Sequence, residues 1–109
     1  MPGKFVIKTA KNGKVFFNLK ASNGQTILSS EMYDSRGAAE KGVASVKKNA
    51  ASAGRFERKK SNKGEDYFIL KASNGEPIGK SEMYASARGM ENGIASVMKN
   101  APGAPVTEG

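Results

Sequence analysis

The hydrophobic period of the chain changes partway along, and then the whole pattern starts again. From Val15 to Ala21, "VFFNLKA", the residues Val15, Phe17, Leu19 and Ala21 alternate with Phe16, Asn18 and Lys20. A period of two marks a strand with one face toward a core. "KFVIKTA" before it reads as a first strand, and the polar "KNGK" between them as a turn. Further on, Ala39, Val43, Val46 and Ala50 recur at helical spacing, so one stripe of a helix faces the sheet. Ser35 stands where an N-cap belongs. A second pass offers Phe68, Leu70 and Ala72 against Tyr67, Ile69 and Lys71, then Ser86, then Met90, Ile94, Val97 and Ala101.

Between second and third strands the pair Asn23-Gly24 announces a hairpin. A two-residue loop places Leu19 opposite Leu28. A three-residue loop, Ser22-Asn23-Gly24 with Gly24 in the left-handed region, places Leu19 opposite Ile27. The second pass has Gly79 in the place of Leu28 but keeps isoleucine at Ile78, which favours the three-residue loop with the isoleucine inward. Gly42 and Gly93 lie inside the helices at a cost of about 1 kcal/mol relative to alanine. Such a cost in both passes implies a close approach of the helix to the sheet or to the other helix. Asn49 and Asn100 stand as C-cap candidates. The tail "APGAPVTEG" reads as disordered, or as a short edge strand around Val106 equivalent to the region of Phe56.

The two passes are a tandem duplication with an offset of 51 residues and no gap. "LKASNG" at Leu19–Gly24 returns at Leu70–Gly75, "SEMY" at Ser30–Tyr33 returns at Ser81–Tyr84, and "GVASVKKNA" from Gly42 returns as "GIASVMKNA" from Gly93. About half of the aligned positions are identical. A unit of this size buries too little surface to stand alone comfortably. The chain of 109 residues is therefore one domain, with repeat 1 at about 4–53 and repeat 2 at about 54–109 sharing a core in pseudo-twofold fashion. Pairing within the chain predicts a monomer.

Composition narrows the chemistry. The chain holds no cysteine and no histidine, which excludes disulfides, thiolate nucleophiles, histidine-based triads and histidine zinc sites. No apolar run approaches the roughly 18 residues of a membrane span. The first residues carry no signal-peptide core either, so the expectation is a soluble cytoplasmic protein with no membrane partner. Net charge is +8. Residues 1–50 carry nine Lys/Arg against three acids, and the remainder nine against seven. Such a balance favours nucleic acid or another polyanion as partner.

Two copies of "LKASNG" and "SEMY", each followed by "G-V/I-ASV-x-K-N", resemble the YegP-like family of small bacterial proteins of unknown function. The resemblance covers nearly the whole chain. It implies two β(3)-α-β units that build a single antiparallel sheet with exchanged C-terminal strands. The strand near Arg55–Lys60 would complete the first unit while opening the second, and Val106 with its neighbours would complete the second. The family brings no activity and no catalytic residues.

Three candidate sites follow. The paired "SEMY" segments offer Glu31 with Glu82 and Tyr33 with Tyr84, which could do acid-base work or hold a hard cation if they met at the axis. The competing expectation is structural: each Glu precedes a helix start, and each Met and Tyr packs at the helix–sheet junction. The outward face of the second strands is the next candidate. There Phe16 and Lys20, with Tyr67 and Lys71, could stack bases and neutralise phosphates, or Phe16 and Tyr67 could simply cover lysine stems. Lastly, "RFERKK" from Arg55 puts Arg58 and Lys60 on one face and Lys59 on the other, a charged edge that resists sheet-to-sheet pairing.

The sequence thus predicts an α+β domain with two helices on one face of a single antiparallel sheet. It predicts a non-enzymatic binding or accessory module with no catalytic residue, metal or cofactor, contacting nucleic acid through Phe16, Lys20, Tyr67 and Lys71. The alternative is a protein–protein interaction or structural module, which a sizeable exposed apolar patch rimmed by lysines would mark.

Overall fold

The computed structural model describes residues 3–108. Gly109, the last residue of repeat 2 as read from the sequence, lies outside the described residues, as do Met1 and Pro2. The first repeat runs β1 (Lys4–Thr9), β2 (Val15–Lys20), β3 (Thr26–Ser30) and α1 (Arg36–Asn49). The second runs β4 (Phe56–Lys60), β5 (Asp66–Lys71), β6 (Pro77–Lys80) and α2 (Ala87–Asn100), and β7 (Val106–Glu108) closes the chain. All seven strands join one sheet in the order β4-β5-β6-β3-β2-β1-β7, with the pseudo-twofold axis between β6 and β3.

The sheet is mixed. Every neighbouring pair is antiparallel except β1 and β7, which are parallel with Phe5 level with Val106. The reason is the symmetry itself: the residues after α2 are the half-turn image of those opening β4, and a half-turn of β4 runs with β1. The C-terminal strand of the second repeat is thus exchanged onto the first strand of the first. Among the described residues β4 pairs only with β5, so one strand both follows α1 and opens repeat 2.

Both helices pack on one side. α1 lies over β2, β5 and β6, and α2 over β3 and β5. Phe17, Leu19, Phe68 and Leu70 are fully buried beneath them, and Ala39, Val43 and Val46 supply the α1 stripe as the spacing predicts. Met90, Ile94 and Val97 do the same for α2. Ser35 and Ser86 are the N-caps, each Oγ accepting from the backbone N–H three residues on, at 3.1 Å.

Several local expectations need correction. The loop is Ser22-Asn23-Gly24, with Gly24 at φ +86° and Ala21 N–H bonded to Gln25 O at 2.9 Å. Leu19 nevertheless faces Leu28, because a bulge between Leu19 and Lys20 inserts Ile27 as an unpaired extra residue. Leu70 likewise faces Gly79. Both Ile27 and Leu28 are buried. Asn49 and Asn100 are the last helical residues rather than caps; each turns its Nδ2 back to the carbonyl four residues earlier, Ser45 or Ser96, at 2.8 Å. The interior glycines Gly42 and Gly93 do mark a close approach to the sheet rather than to the other helix: a Cβ there would strike the ring of Tyr33 or Tyr84 and crowd Phe17 of β2 or Phe68 of β5.

Candidate functional site

The "SEMY" segments are structural joints. Ser30 Oγ accepts from Phe17 N–H at 2.9 Å and donates to Glu31 O at 2.8 Å, and Ser81 does the same with Phe68 and Glu82. Tyr33 forms a β-bridge to Val15 and Tyr84 one to Asp66. Each tyrosine ring then stacks on the phenylalanine of its own half, Phe17 at 6.1 Å or Phe68 at 6.4 Å. The tyrosines therefore sit one in each half, and they do not meet at the axis. Glu31 and Glu82 are exposed and follow opposite ends of the antiparallel β3–β6 pair. Burial, and then the charge of the nearby Glu31 or Glu82, pushes both phenols above their usual range, which suits neither for proton abstraction near neutrality. Met32 and Met83 are exposed, against the expectation that they pack at the junction. Among the described residues no group of three or more acids is placed to hold a metal ion.

The sheet face away from the helices is different. One row crosses all seven strands there: Glu57, Ile69, Lys80, Ser29, Asn18, Val6 and Thr107 stand level from edge to edge. Phe16 and Tyr67 lie off this row on the same face, and both are half-buried, as are Lys20 and Lys71. The alternation places all four as the sequence predicts. It does not make them one platform. β2 and β5 are three strand spacings apart, about 14 Å, and run in opposite directions, so the rings sit at opposite ends and about 20 Å from each other. No base stack can use both at once.

Each ring has its own cations. Lys8 is level with Phe16 and Lys59 with Tyr67, and the Lys80 ammonium lies 5.1 Å from the Tyr67 ring centre. Lys71 is partly spent on Glu57, at 2.9 Å, and Lys59 approaches the same carboxylate at 3.9 Å. Those two lysines hold the Glu57 carboxyl below its ordinary pKa, the Lys71 hydrogen bond foremost. Two other basic residues of the joining segment face the other side: Arg58 pairs with Glu91 of α2 and Lys60 with Asp66.

Among the described strand residues the face therefore carries Lys4, Lys8, Lys20, Lys59, Lys71 and Lys80 against the single acid Glu57, an excess of five positive charges in a chain of net charge +8. Lys4, Lys8, Lys59 and Lys80 were not among the predicted contacts. Lys4 and Lys8 were legible, since "KFVIK" alternates like its neighbour. Lys80 was not, because β6 is only four residues long and a bulge between Leu70 and Lys71 breaks its phase.

Residues 10–57 and 61–108 each match a family model described as a domain of unknown function, DUF1508. The UPF0339 protein YegP of Yersinia pestis is 56% identical over 98 residues, which span 90% of this chain and 88% of that protein. The UPF0339 protein MS1092 of Mannheimia succiniciproducens is 52% identical over 91% of this chain and 88% of its own length. Among solved structures, the solution structure of yegP from E. coli, titled a protein of unknown function, superposes with a TM-score of 0.94 at 45% identity, covering 99% of this chain and 93% of that one. That of the UPF0339 protein SO3888 from Shewanella oneidensis gives 0.92 at 36% identity, over 99% of this chain and 92% of that one. With two matched domains, relatives at this identity along nearly the full length and the same fold, the chain belongs to the UPF0339, YegP-like family.

Proposed function

We propose that this protein is a non-enzymatic binding module of the bacterial cytoplasm whose open sheet face contacts nucleic acid. The observation that carries the reading is the charge segregation: six lysines share a face with one glutamate, while the rest of the surface is far nearer balance. A flat array of ammonium groups matches the spacing-tolerant, sequence-independent attraction of a phosphate backbone. Phe16 and Tyr67 act separately, each offering a ring edge and a neighbouring lysine to one nucleotide, with Lys20 and Lys71 at the far ends of the same strands. The pseudo-dyad makes the two contact regions near copies, so a ligand spanning both is held twice. A protein partner is the less favoured occupant: Val106, one of the exposed large hydrophobics among the described residues, stands level with inward-facing Phe5 and so lies off this face.

Fluorescence anisotropy with single- and double-stranded DNA and RNA at about 50 and 200 mM salt tests this. If the six lysines all meet phosphates, affinity falls about a thousandfold between those salts. Phe16→Ala with Tyr67→Ala weakens binding further if the rings touch nucleotides. Salt dependence without an effect of the double variant leaves the charge as the whole interaction. Absence of binding at the lower salt overturns the nucleic-acid reading and turns attention to a protein partner. Sedimentation checks the monomer that the internal pairing leads us to expect.

A further inference from the structure

A groove of about 660 Å³ runs along the seam between the repeats. One wall is the turn Ala21 to Asn23 of repeat 1; the other is the face of α2 formed by Asn92, Ala95, Ser96, Lys99 and Asn100 of repeat 2. These are the two motifs the chain says twice, "LKASNG" and "ASVxKN", brought together across the repeats. Seven of the eight lining residues are identical at the equivalent place in the other copy, Asn92 alone differing from Lys41. Chain-wide the two copies agree at only about half of their positions.

The fold accounts for part of that agreement. Asn100 accepts from Gly3 N–H at 2.9 Å and donates to Ser96 O, and Asn23 Oδ1 accepts from Gln25 N–H at 3.0 Å. It does not account for Ser22 or Ala95. Both are exposed, both recur as Ser73 and Ala44, and both line the groove. Lys99, recurring as Lys48, also suits the negative end of its helix, and it too lines this groove. Ala95 keeps the groove open where a longer side chain would close it. Hydroxyls, carboxamides and one ammonium line the walls, with no carboxylate and no aromatic ring.

We propose that this groove binds a small acceptor-rich anion, a phosphate- or carboxylate-bearing polar metabolite. Lys99 supplies the countercharge, and Ser22 and Asn92 supply hydrogen bonds. The site is separate from the open sheet face, and Ser73, Ala44 and Lys48 are the equivalent residues of the duplication.

The test is a ¹H–¹⁵N NMR titration with inorganic phosphate in one arm and citrate in the other, at ionic strength held constant with sodium chloride. Saturable shifts at the amides of Ser22, Asn23, Ala95 and Lys99 in either arm are the expected result, and the arm that responds names the anion. Lys48→Ala with Lys99→Ala lowers the affinity at least about tenfold. Ala95→Leu, which fills the groove and removes no charge, does the same at the repeat 2 site. Phe16→Ala with Tyr67→Ala leaves the titration unchanged, which separates this site from the sheet face. No saturable shift in either arm overturns the proposal. Shifts that follow the sheet lysines, or that survive in both groove variants, overturn it as well.

Discussion

Leu28 fills the space from which Gly79 is missing a side chain. The two residues are equivalents in the duplication, and they meet beside the pseudo-twofold axis: a Cβ on Gly79 would lie 2.8 Å from Leu28 Cγ. Two leucines there would collide, and two glycines would leave a void beneath β3 and β6. One large and one absent side chain packs the centre, so the symmetry is broken at its own axis.

Gly79→Ala is expected to cost about 1–3 kcal/mol by overpacking, and Leu28→Ala about 2–5 kcal/mol because Leu28 is fully buried. The double variant should be more stable than the sum of the two losses allows, by at least about 1 kcal/mol. Urea denaturation of the four proteins closes the cycle. Strict additivity would show that the two sites do not share this space.

The interior helix glycines make a sharper case because propensity and packing disagree in sign. Replacing Gly42 by alanine should stabilise an isolated helix by about 1 kcal/mol. Here the new Cβ would lie 2.7 Å from Tyr33 Cζ and 2.9 Å from Phe17 Cε2. The ring is stacked on a fully buried phenylalanine and has little room to retreat. Gly42→Ala is therefore expected to lower stability by about 1–3 kcal/mol, and Gly93→Ala to do the same against Tyr84. Thermal melts decide the sign. A gain in Tm would mean that the tyrosine moves aside freely.

How far the sequence could be read follows from which features repeat with a fixed period. Alternation placed Phe17 and Leu19 inward and Phe16 and Lys20 outward, and helical spacing placed Val43 and Val46, because side-chain direction is set by backbone geometry alone. The caps Ser35 and Ser86 were legible for the same local reason. What periodicity cannot carry is an inserted residue. The bulge at Ile27 leaves the inward hydrophobic pattern almost unchanged while moving Leu19 from Ile27 to Leu28. Solvent exposure of Met32 and the direction of β7 depend on the assembled halves. So does the distance between Phe16 and Tyr67, which divided the expected platform into two smaller contacts.

The raised phenol pKa values of Tyr33 and Tyr84 set an alkaline limit. Both lie above the ordinary phenol value of 10.0 in the folded protein, chiefly through burial. Above about pH 10 the unfolded chain releases these protons first. The contribution is thus fully present below that pH and is lost as the pH rises further. Denaturation midpoints of the wild type should fall more steeply from about pH 9 to about pH 11 (roughly one unit either side of the free phenol) than those of Tyr33→Phe with Tyr84→Phe. Lysine deprotonation is common to both proteins and cancels in the difference. Equal slopes would refute the assignment.

The exchanged tail closes an edge that would otherwise be open. Phe5, fully buried, donates its N–H to Pro105 O at 2.8 Å, and Thr107 Oγ1 donates to Phe5 O at 3.2 Å. Glu108 adds an ion pair to Arg36 at the start of α1, an exposed contact of small worth. Removing residues 105–109 strips both hydrogen-bond partners from Phe5 and uncovers the outer side of β1. The loss should be about 1–3 kcal/mol, the cost of leaving a buried backbone donor unpaired, less whatever water recovers. The uncovered edge differs from β4, the edge the chain already leaves open, because β1 presents Val6 and Ile7 where β4 presents Glu57 and Arg58. An apolar edge pairs with its like more readily than a charged one. The truncated protein should therefore associate at concentrations where the whole chain does not, and sedimentation velocity across a concentration series measures this. A truncated chain that melts lower but sediments unchanged would leave the hydrogen bonds as the tail's whole contribution and refute its role as an edge cover.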